Sequence, residues 1–444
     1  MVNRVVIAAP ASGHGKTTIA TGLMAALRAR GHVVSGHKIG PDFIDPGYHA
    51  LATGRPPRNL DPFLQGEPLL APLLRHGAAG ADIAVIEGVM GLFDGQLGTE
   101  GYASTAHVAR LLDAPVVLVV DASAASRSVA ATVLGFARYE PGVRIAGVIL
   151  NKLGSARHEE EIRAALVRTG VPVLGALRRS DDIHAPSRHL GLVPAAERDA
   201  ESRALLPKLA EWVSAGVDLE AVVRVARSAP ALAAPAWEAA GSVRGPRRVV
   251  AAAAGPAFTF RYTEAVELLS ASGVDVVDLD PLRDEGLPDG CAGLYFGGGF
   301  PEAHVEDLAA NEPLRARLAA AIARGMPVVA ECAGLLYLCR ELDGQPMVGA
   351  LDATASMTRR GALGYRAAVV PRTHLLGEAG QRVTGHEFHR TVVEPRAGAV
   401  PAWEWDGAPE GFASPALHAS YLHVHWAGHP GLARRFAEAV RAGG

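Results

Sequence analysis

The chain has 444 residues, 49% of them hydrophobic and 20% charged, with a formal net charge of −3. That length allows two or three domains with large cores, and near-neutral charge without a Lys/Arg block argues against a nucleic-acid binder. Cys291, Cys332 and Cys339 form no CxxC pair, which fits a reducing cytoplasm better than a structural zinc site.

No apolar run reaches the length of a membrane span. Met1-Val2-Asn3-Arg4-Val5 leads into a strand pattern without a signal-peptide cleavage site, so a cytoplasmic protein is expected.

Val5-Val6-Ile7-Ala8-Ala9 is a β-branched run expected to form a buried parallel strand. It feeds Pro10-Ala11-Ser12-Gly13-His14-Gly15-Lys16-Thr17-Thr18, then a helical pattern through Ile19, Leu23 and Leu27. Strand, glycine-bearing loop ending in Gly-Lys-Thr, then helix is the context of a phosphate-binding loop. Backbone N–H groups would cradle phosphates, Lys16 would reach the outer ones, and the Thr17 hydroxyl could ligate Mg²⁺. Pro10 stands where the common pattern has glycine, so the loop is a variant.

Further strands are expected at Val33–Lys38, Asp82–Gly88, Pro115–Asp121, Ile145–Lys152 and Val171–Leu177, alternating with helices as in a doubly wound parallel sheet. Ligands lie outside the carboxyl ends of such strands. Asp42, Asp45, Glu87 and Asp94 all follow strand ends and are expected on the nucleotide side, where carboxylates handle Mg²⁺ and substrate. Asn151-Lys152 ends a later strand, a place where nucleotide enzymes often read the base.

From Arg198 the text changes to helical stretches, then the Ala/Pro segment Ser228–Trp237, which reads as an extended linker. The expected division is an ATP-binding domain over 1–197, a joint over 198–245 and a second domain over 246–444, with the boundary near residue 240.

The second domain opens with strands at Val249–Ala253 and Val274–Leu279 and a helix at Tyr262–Ser270. Gly293-Leu294-Tyr295-Phe296 then exits into Gly297-Gly298-Gly299-Phe300-Pro301-Glu302, and Met326–Ala330 leads through Glu331 to Cys332 and an apolar helix. Such a thiol projects from a sheet edge on a nucleophile elbow, near N–H groups that favour a thiolate or an oxyanion. Gly298, Gly299 and Ala333 are the expected oxyanion donors. Ser420–Trp426 reads as one strand with His423 and His425 on one face, and His423 is the expected base. Gly385-His386-Glu387-Phe388-His389 is a second polar cluster, expected to bind substrate or contact another domain.

These motifs together resemble the cobyrinic or hydrogenobyrinic acid a,c-diamide synthases of vitamin B12 biosynthesis, over essentially the whole chain. The specific carriers are Lys38–Pro46 and Glu87–Gly95, supported by the Ala11–Thr18 loop, Gly297–Glu302, Glu331–Leu338 and Gly385–His389. The resemblance implies a dethiobiotin-synthetase-like ATP domain joined to a class I-like glutamine amidotransferase domain. It implies a ligase that takes L-glutamine, ATP, Mg²⁺ and a corrinoid polycarboxylate. Cys332 would attack the glutamine amide, helped by His423, and release ammonia through a glutamyl thioester. The ammonia would then attack an acyl phosphate made from a corrin acetate, once at a and once at c.

Carried onto this chain, the nucleotide contacts are Ser12, Gly13, His14, Gly15, Lys16, Thr17 and Thr18, with Lys38 and Asn151. Thr17, Asp42 and Glu87 are expected to hold the metal, and Asp45 and Asp94 the acyl-phosphate site. Ordinary class I amidotransferases have glycine where Ala330 stands and glutamate where His425 stands. A Cys332–His423 dyad is therefore expected rather than a triad. The competing readings are a cobyric acid synthase amidating other corrin side chains, and a non-catalytic P-loop ATPase with a degenerate amidotransferase domain. A homodimer is the default expectation for such an enzyme.

Overall fold

In the computed structural model, which describes residues 2–180, 187–188, 191–192, 197, 199–239 and 245–443, the chain divides into two compact units. The first comprises Met1–Pro62 and Gly66–Glu238, the second Phe63–Gln65 and Ala239–Gly444. The boundary expected near residue 240 falls on 240–244, and the joint's first residue is 198; both lie outside the described residues. Among the described residues no helix is long and apolar enough to cross a membrane.

The first unit is built on β1 (Arg4–Ala8), β2 (Val34–Ile39), β3 (Arg58–Leu60), β4 (Ile83–Glu87), β5 (Val116–Asp121), β6 (Ile145–Leu153) and β7 (Val173–Arg178). Their order is β3-β2-β4-β1-β5-β6-β7, and every neighbouring pair is parallel. β1 is buried throughout and apolar apart from Arg4, whose guanidinium donates to the carbonyls of Leu112 and Val2. Such double-faced burial is what helices on both sides of a parallel sheet require.

Helix α1 (Lys16–Ala29) buries Ile19, Ala20, Leu23, Met24, Ala26 and Leu27, one stripe at helical spacing. The stretch after residue 198, expected from its composition as a joint, is packed into this unit. In helices Asp199–Gly216 and Leu219–Arg227, the buried Val213, Leu219, Val222 and Ala226 join the α1 side chains in one core. Only the segment after Arg227 keeps the extended character expected of a linker.

The second unit carries two sheets. The first has the order Val274–Leu279, Arg248–Ala253, Cys291–Phe296, Val328–Glu331, Leu417–Ser420, parallel throughout, with Phe412–Ala413 antiparallel at its edge. The second is built round the long antiparallel pair Thr354–Val369 and Arg382–Glu394, onto which His423–Val424 is added. The single strand expected over Ser420–Trp426 is thus divided. Ser420 ends a strand of the first sheet and His423 begins one of the second. The chain changes sheet at Tyr421-Leu422, and the alternation that suggested one strand is shared between two.

Candidate active sites

In the first unit the phosphate loop leaves β1 and ends on Gly15, whose φ of 89° is readily adopted only without a side chain. No side chain caps α1, so its first N–H groups are left for an anion. The loop is braced from the ends of β5 and β6. Asn151 donates through Nδ2 to the His14 carbonyl at 2.9 Å, and Lys152 Nζ donates to the Gly13 carbonyl at 2.9 Å. Lys152 Nζ also lies 2.6 Å from Asp121 Oδ2. Burial works against the Asp121 carboxylate, but Lys152 and the Ser123 hydrogen bonds outweigh it and hold the group at about 2. Asn151, expected to read a base, therefore has its amide engaged with the loop itself.

Lys38 is the electrostatic centre of this unit. The β2–β4 register sets it opposite Glu87. Its ammonium reaches Asp45 Oδ2 at 2.6 Å, Glu87 Oε1 at 2.9 Å and the Gly88 carbonyl at 3.1 Å. Burial alone would lower its pKa, but Asp45, Glu87 and Asp42 outweigh that and raise it. The same neighbours hold Thr17, whose Oγ1 donates toward Glu87 Oε1 at 2.6 Å and Asp45 Oδ2 at 3.1 Å. Glu87 Oε2 meets His49 Nε2 at 2.7 Å. Burial pushes the Glu87 carboxyl up, but Lys38 and His49 more than compensate and keep it ionised. One ammonium cannot balance both acids: burial and the Asp42 carboxylate push Asp45 well above the usual carboxylate range.

The carboxylate brought beside Thr17 and Glu87 is therefore Asp45, expected on the substrate side. Asp42, expected as a ligand, accepts the N–H groups of Ile44 and Asp45 through Oδ1, shaping the turn that leads into α2 (Asp45–Thr53). Its other oxygen stands 3.8 Å from Lys38 Nζ. Asp94 is exposed and accepts the Gly91 N–H at 3.1 Å, shaping its own loop. Lys16 Nζ donates to the Met90 carbonyl at 3.2 Å. Among the described residues no group of three or more His, Cys, Asp or Glu is arranged as a metal site. The hydroxyl of Thr17 with the side-chain oxygens of Asp45 and Glu87 is nonetheless a hard oxygen set of the kind Mg²⁺ takes. His49 could have been found in the sequence, since it lies one helical turn beyond Asp45 and shares its face.

In the second unit Cys332 stands at the end of strand Val328–Glu331, with φ 50° and ψ −98°. That conformation costs a residue other than glycine about 1–3 kcal/mol and marks a nucleophile elbow. The strain is held on both sides: the Cys332 N–H donates to the Ser420 carbonyl at 2.8 Å, and the Gly334 N–H to the Gly297 carbonyl at 3.1 Å. The thiol is only 4% exposed. Burial and the Glu302 carboxylate push its pKa up, while the Ala333 N–H works the other way.

His423 stacks on His386 at 4.9 Å between ring centres and faces Phe260 edge-on at 5.0 Å. A Cβ on Gly298 would come within 2.6 Å of the imidazole Cε1, so glycine there makes room for the base. Gly298 is not an available oxyanion donor, because its N–H is bonded to the Phe260 carbonyl at 2.9 Å. His425 does not serve the base: its Nε2 lies 2.8 Å from Gln65 Nε2 and 3.5 Å from Glu264 Oε2. The Gly385–His389 cluster belongs to this site, for Glu387 acts on both the Cys332 thiol and His423. Glu387 is held at 2.7 Å by Arg366, which the motif reading missed because its partner is on another strand.

Buried groups of this unit set an acid limit on stability. Burial drives His386 down to about 3 and takes His418 and His423 well below the usual imidazole value of 6.5. An unfolded chain protonates these rings below 6.5 while the native one does not, so acidification removes stability. Burial pushes Glu331 up to about 8 and Glu410 up to about 7, from 4.5. Those acids act oppositely, since the native chain keeps protons that the unfolded one has lost above 4.5. Between pH 6.5 and 4.5 the acids offset part of the histidine effect, and below 4.5 they no longer do. Urea midpoints are expected to fall gently to pH 4.5 and steeply below it; one uniform slope would contradict these assignments.

Comparison with known proteins places both units. The family model for CobQ/CobB/MinD/ParA nucleotide binding domains matches residues 5–193, and that for CobB/CobQ-like glutamine amidotransferase domains matches 249–431. A hydrogenobyrinate a,c-diamide synthase of Thermobifida fusca is 60% identical over 98% of this chain and 96% of its own length. One of Streptomyces coelicolor is 56% identical over 99% and 98%. A cobyrinate a,c-diamide synthase of Gloeobacter violaceus is 45% identical over 97% and 96%. A phosphate loop on a parallel sheet, an elbow cysteine and a buried histidine in one unit, and similarity running through both units show that the chain belongs to the hydrogenobyrinate and cobyrinate a,c-diamide synthase family.

Proposed function

We propose that the chain amidates the a and c acetate carboxylates of hydrogenobyrinic acid, with glutamine as nitrogen donor and ATP as activator, in the cytoplasm. The observation that carries this is the 60% identity over 98% of the chain to a hydrogenobyrinate a,c-diamide synthase, which spans both units. The metal-free corrin is favoured because relatives named for it are 52–60% identical, against 39–45% for those named for cobyrinate.

A carboxylate is a poor electrophile, and phosphoryl transfer from ATP converts it to an acyl phosphate with a good leaving group. In this reading the loop N–H groups and Lys16 hold the charge of the phosphates, while Lys38 neutralises Asp45 and Glu87. Thr17, Asp45 and Glu87 hold Mg²⁺, which supplies further charge neutralisation. Asp42 keeps Asp45 in place by accepting its N–H in the turn before α2.

In the second unit His423 takes the thiol proton of Cys332 as sulfur attacks the amide carbon of glutamine. The N–H groups of Gly299 and Ala333 receive the oxyanion. On collapse the leaving nitrogen takes the proton from the imidazolium and departs as ammonia, and water then hydrolyses the thioester. Ammonia displaces phosphate from the acyl phosphate and forms the amide.

The test is to incubate the chain with ATP, Mg²⁺, glutamine and either corrin acid and to weigh the product. Two successive losses of about one mass unit are expected, with the metal-free acid consumed faster. Four losses would mean a cobyric acid synthase, and none would leave an ATPase.

A further inference from the structure

The site around Cys332 contains a carboxylate that the dyad does not use. Glu331, the residue immediately before the nucleophile, is buried at the end of the same strand. Its Oε2 lies 4.0 Å from His423 Nδ1 and accepts the Tyr295 hydroxyl at 3.3 Å. The backbone of Val424, the residue after His423, works on this carboxyl in the direction that lowers its pKa, against burial.

We infer that Glu331 is the positioning residue of a Cys332–His423–Glu331 triad, replacing the acid that class I enzymes place two residues after the histidine. The inference rests on the reading of Cys332 and His423 as nucleophile and base. At 4.0 Å the contact is an ion-pair approach rather than a hydrogen bond. Base–orienter contacts are often loose before substrate binds and tighten as charge develops. With Nδ1–H turned to the Glu331 carboxyl, the proton-free Nε2 is left to receive the thiol proton. The imidazolium formed by that transfer then lies against the oxygens of an acid that burial keeps protonated up to about 8, instead of an apolar wall.

The alternatives are otherwise engaged. Glu387 is held by Arg366 at 2.7 Å and by His389 at 3.4 Å. His425, at the usual position of the acid, sits against Gln65 and Glu264. Placing the acid before the nucleophile also explains how the elbow functions without the customary downstream glutamate. The strand that presents the thiol presents the orienter as well.

The test is the pH dependence of Cys332 alkylation by iodoacetamide, with the site of modification read by mass spectrometry, in the full chain. The other titrating or charged groups that face the site are His386, Glu387, His389, Glu302 and Arg261, and none is changed by the variants used. Glu331→Gln keeps the shape but removes the ionisable carboxyl. It is expected to move the alkylation midpoint up by at least one pH unit and to lower glutamine-dependent kcat tenfold or more, with KM within about twofold. Tyr295→Phe keeps the carboxylate and is expected to leave the midpoint within about 0.3 unit. An unmoved midpoint in Glu331→Gln, or equal shifts in both variants, would overturn the assignment in favour of packing. Amidation driven by ammonium salts checks that each variant is folded. Failure of Cys332→Ser to lose glutamine-dependent activity would instead sink the underlying reading, so the two failures are distinct.

Discussion

Replacing Cys332 by serine is expected to abolish amidation from glutamine and to leave amidation from ammonium salts within about twofold. The glutamine-driven rate should fall by on the order of 10⁴-fold or more, as when the nucleophile of an acyl-transfer site is removed. Serine is nearly isosteric, so the elbow at φ 50° and its bond to the Ser420 carbonyl should persist. What is lost is a nucleophile that His423 can activate, because a hydroxyl is far harder to deprotonate than a thiol, even one pushed up by burial. The ammonium-driven reaction is the informative arm. It needs only ATP and the corrin acid, and those belong to residues around Lys38, in the other unit. Loss of both activities in a folded Cys332→Ser chain would refute the division of labour between the units. Retention of glutamine-driven turnover would remove Cys332 from the chemistry.

The difference between those two sites runs through what the sequence could reveal. The phosphate loop was legible because its parts are contiguous: strand, glycines, Lys16 and helix follow one another within a few residues. Cys332 was legible on the same ground, as a turn between two apolar runs. The partners were not, because they depend on which strands lie side by side. Lys38 faces Glu87 through the β2–β4 register, and Arg366 reaches Glu387 diagonally across an antiparallel pair in which Gly364 stands opposite Glu387. Asp42 and Asp45 look equivalent in the sequence, yet one oxygen of Asp42 is taken by two backbone N–H groups, which sets Asp45 on Thr17. Gly298 shows the same limit at the level of the backbone. Its glycine signalled a ligand-facing turn, but its N–H goes to Phe260 and its missing Cβ serves His423. The helices after residue 198 were recognised as helices. What composition hid was their apolar stripe, which closes over α1.

Substitution of Glu87 by glutamine should fail with either nitrogen source, and this separates it from every change made at the thiol. Glu87 is fully buried and meets Lys38, Thr17 and His49 at once. Glutamine preserves the shape and can still accept from Lys38, but it removes the charge that the ammonium balances and that a cation would require. The loss in amidation should exceed the roughly 10–100-fold that outer partners of a metal site cost, because Glu87 is placed within the site itself. Lys38→Met makes the complementary case. It leaves Asp45 and Glu87 buried without their shared ammonium, which destabilises a fold by about 3–5 kcal/mol, so both urea stability and activity should fall. Glu87→Gln relieves an acid and should change stability much less. A Glu87→Gln chain that amidates from ammonia within threefold of the parent would show that the carboxylates around Lys38 hold the fold together rather than the phosphates. A Lys38→Met chain of unaltered stability would show that the ammonium does not neutralise them.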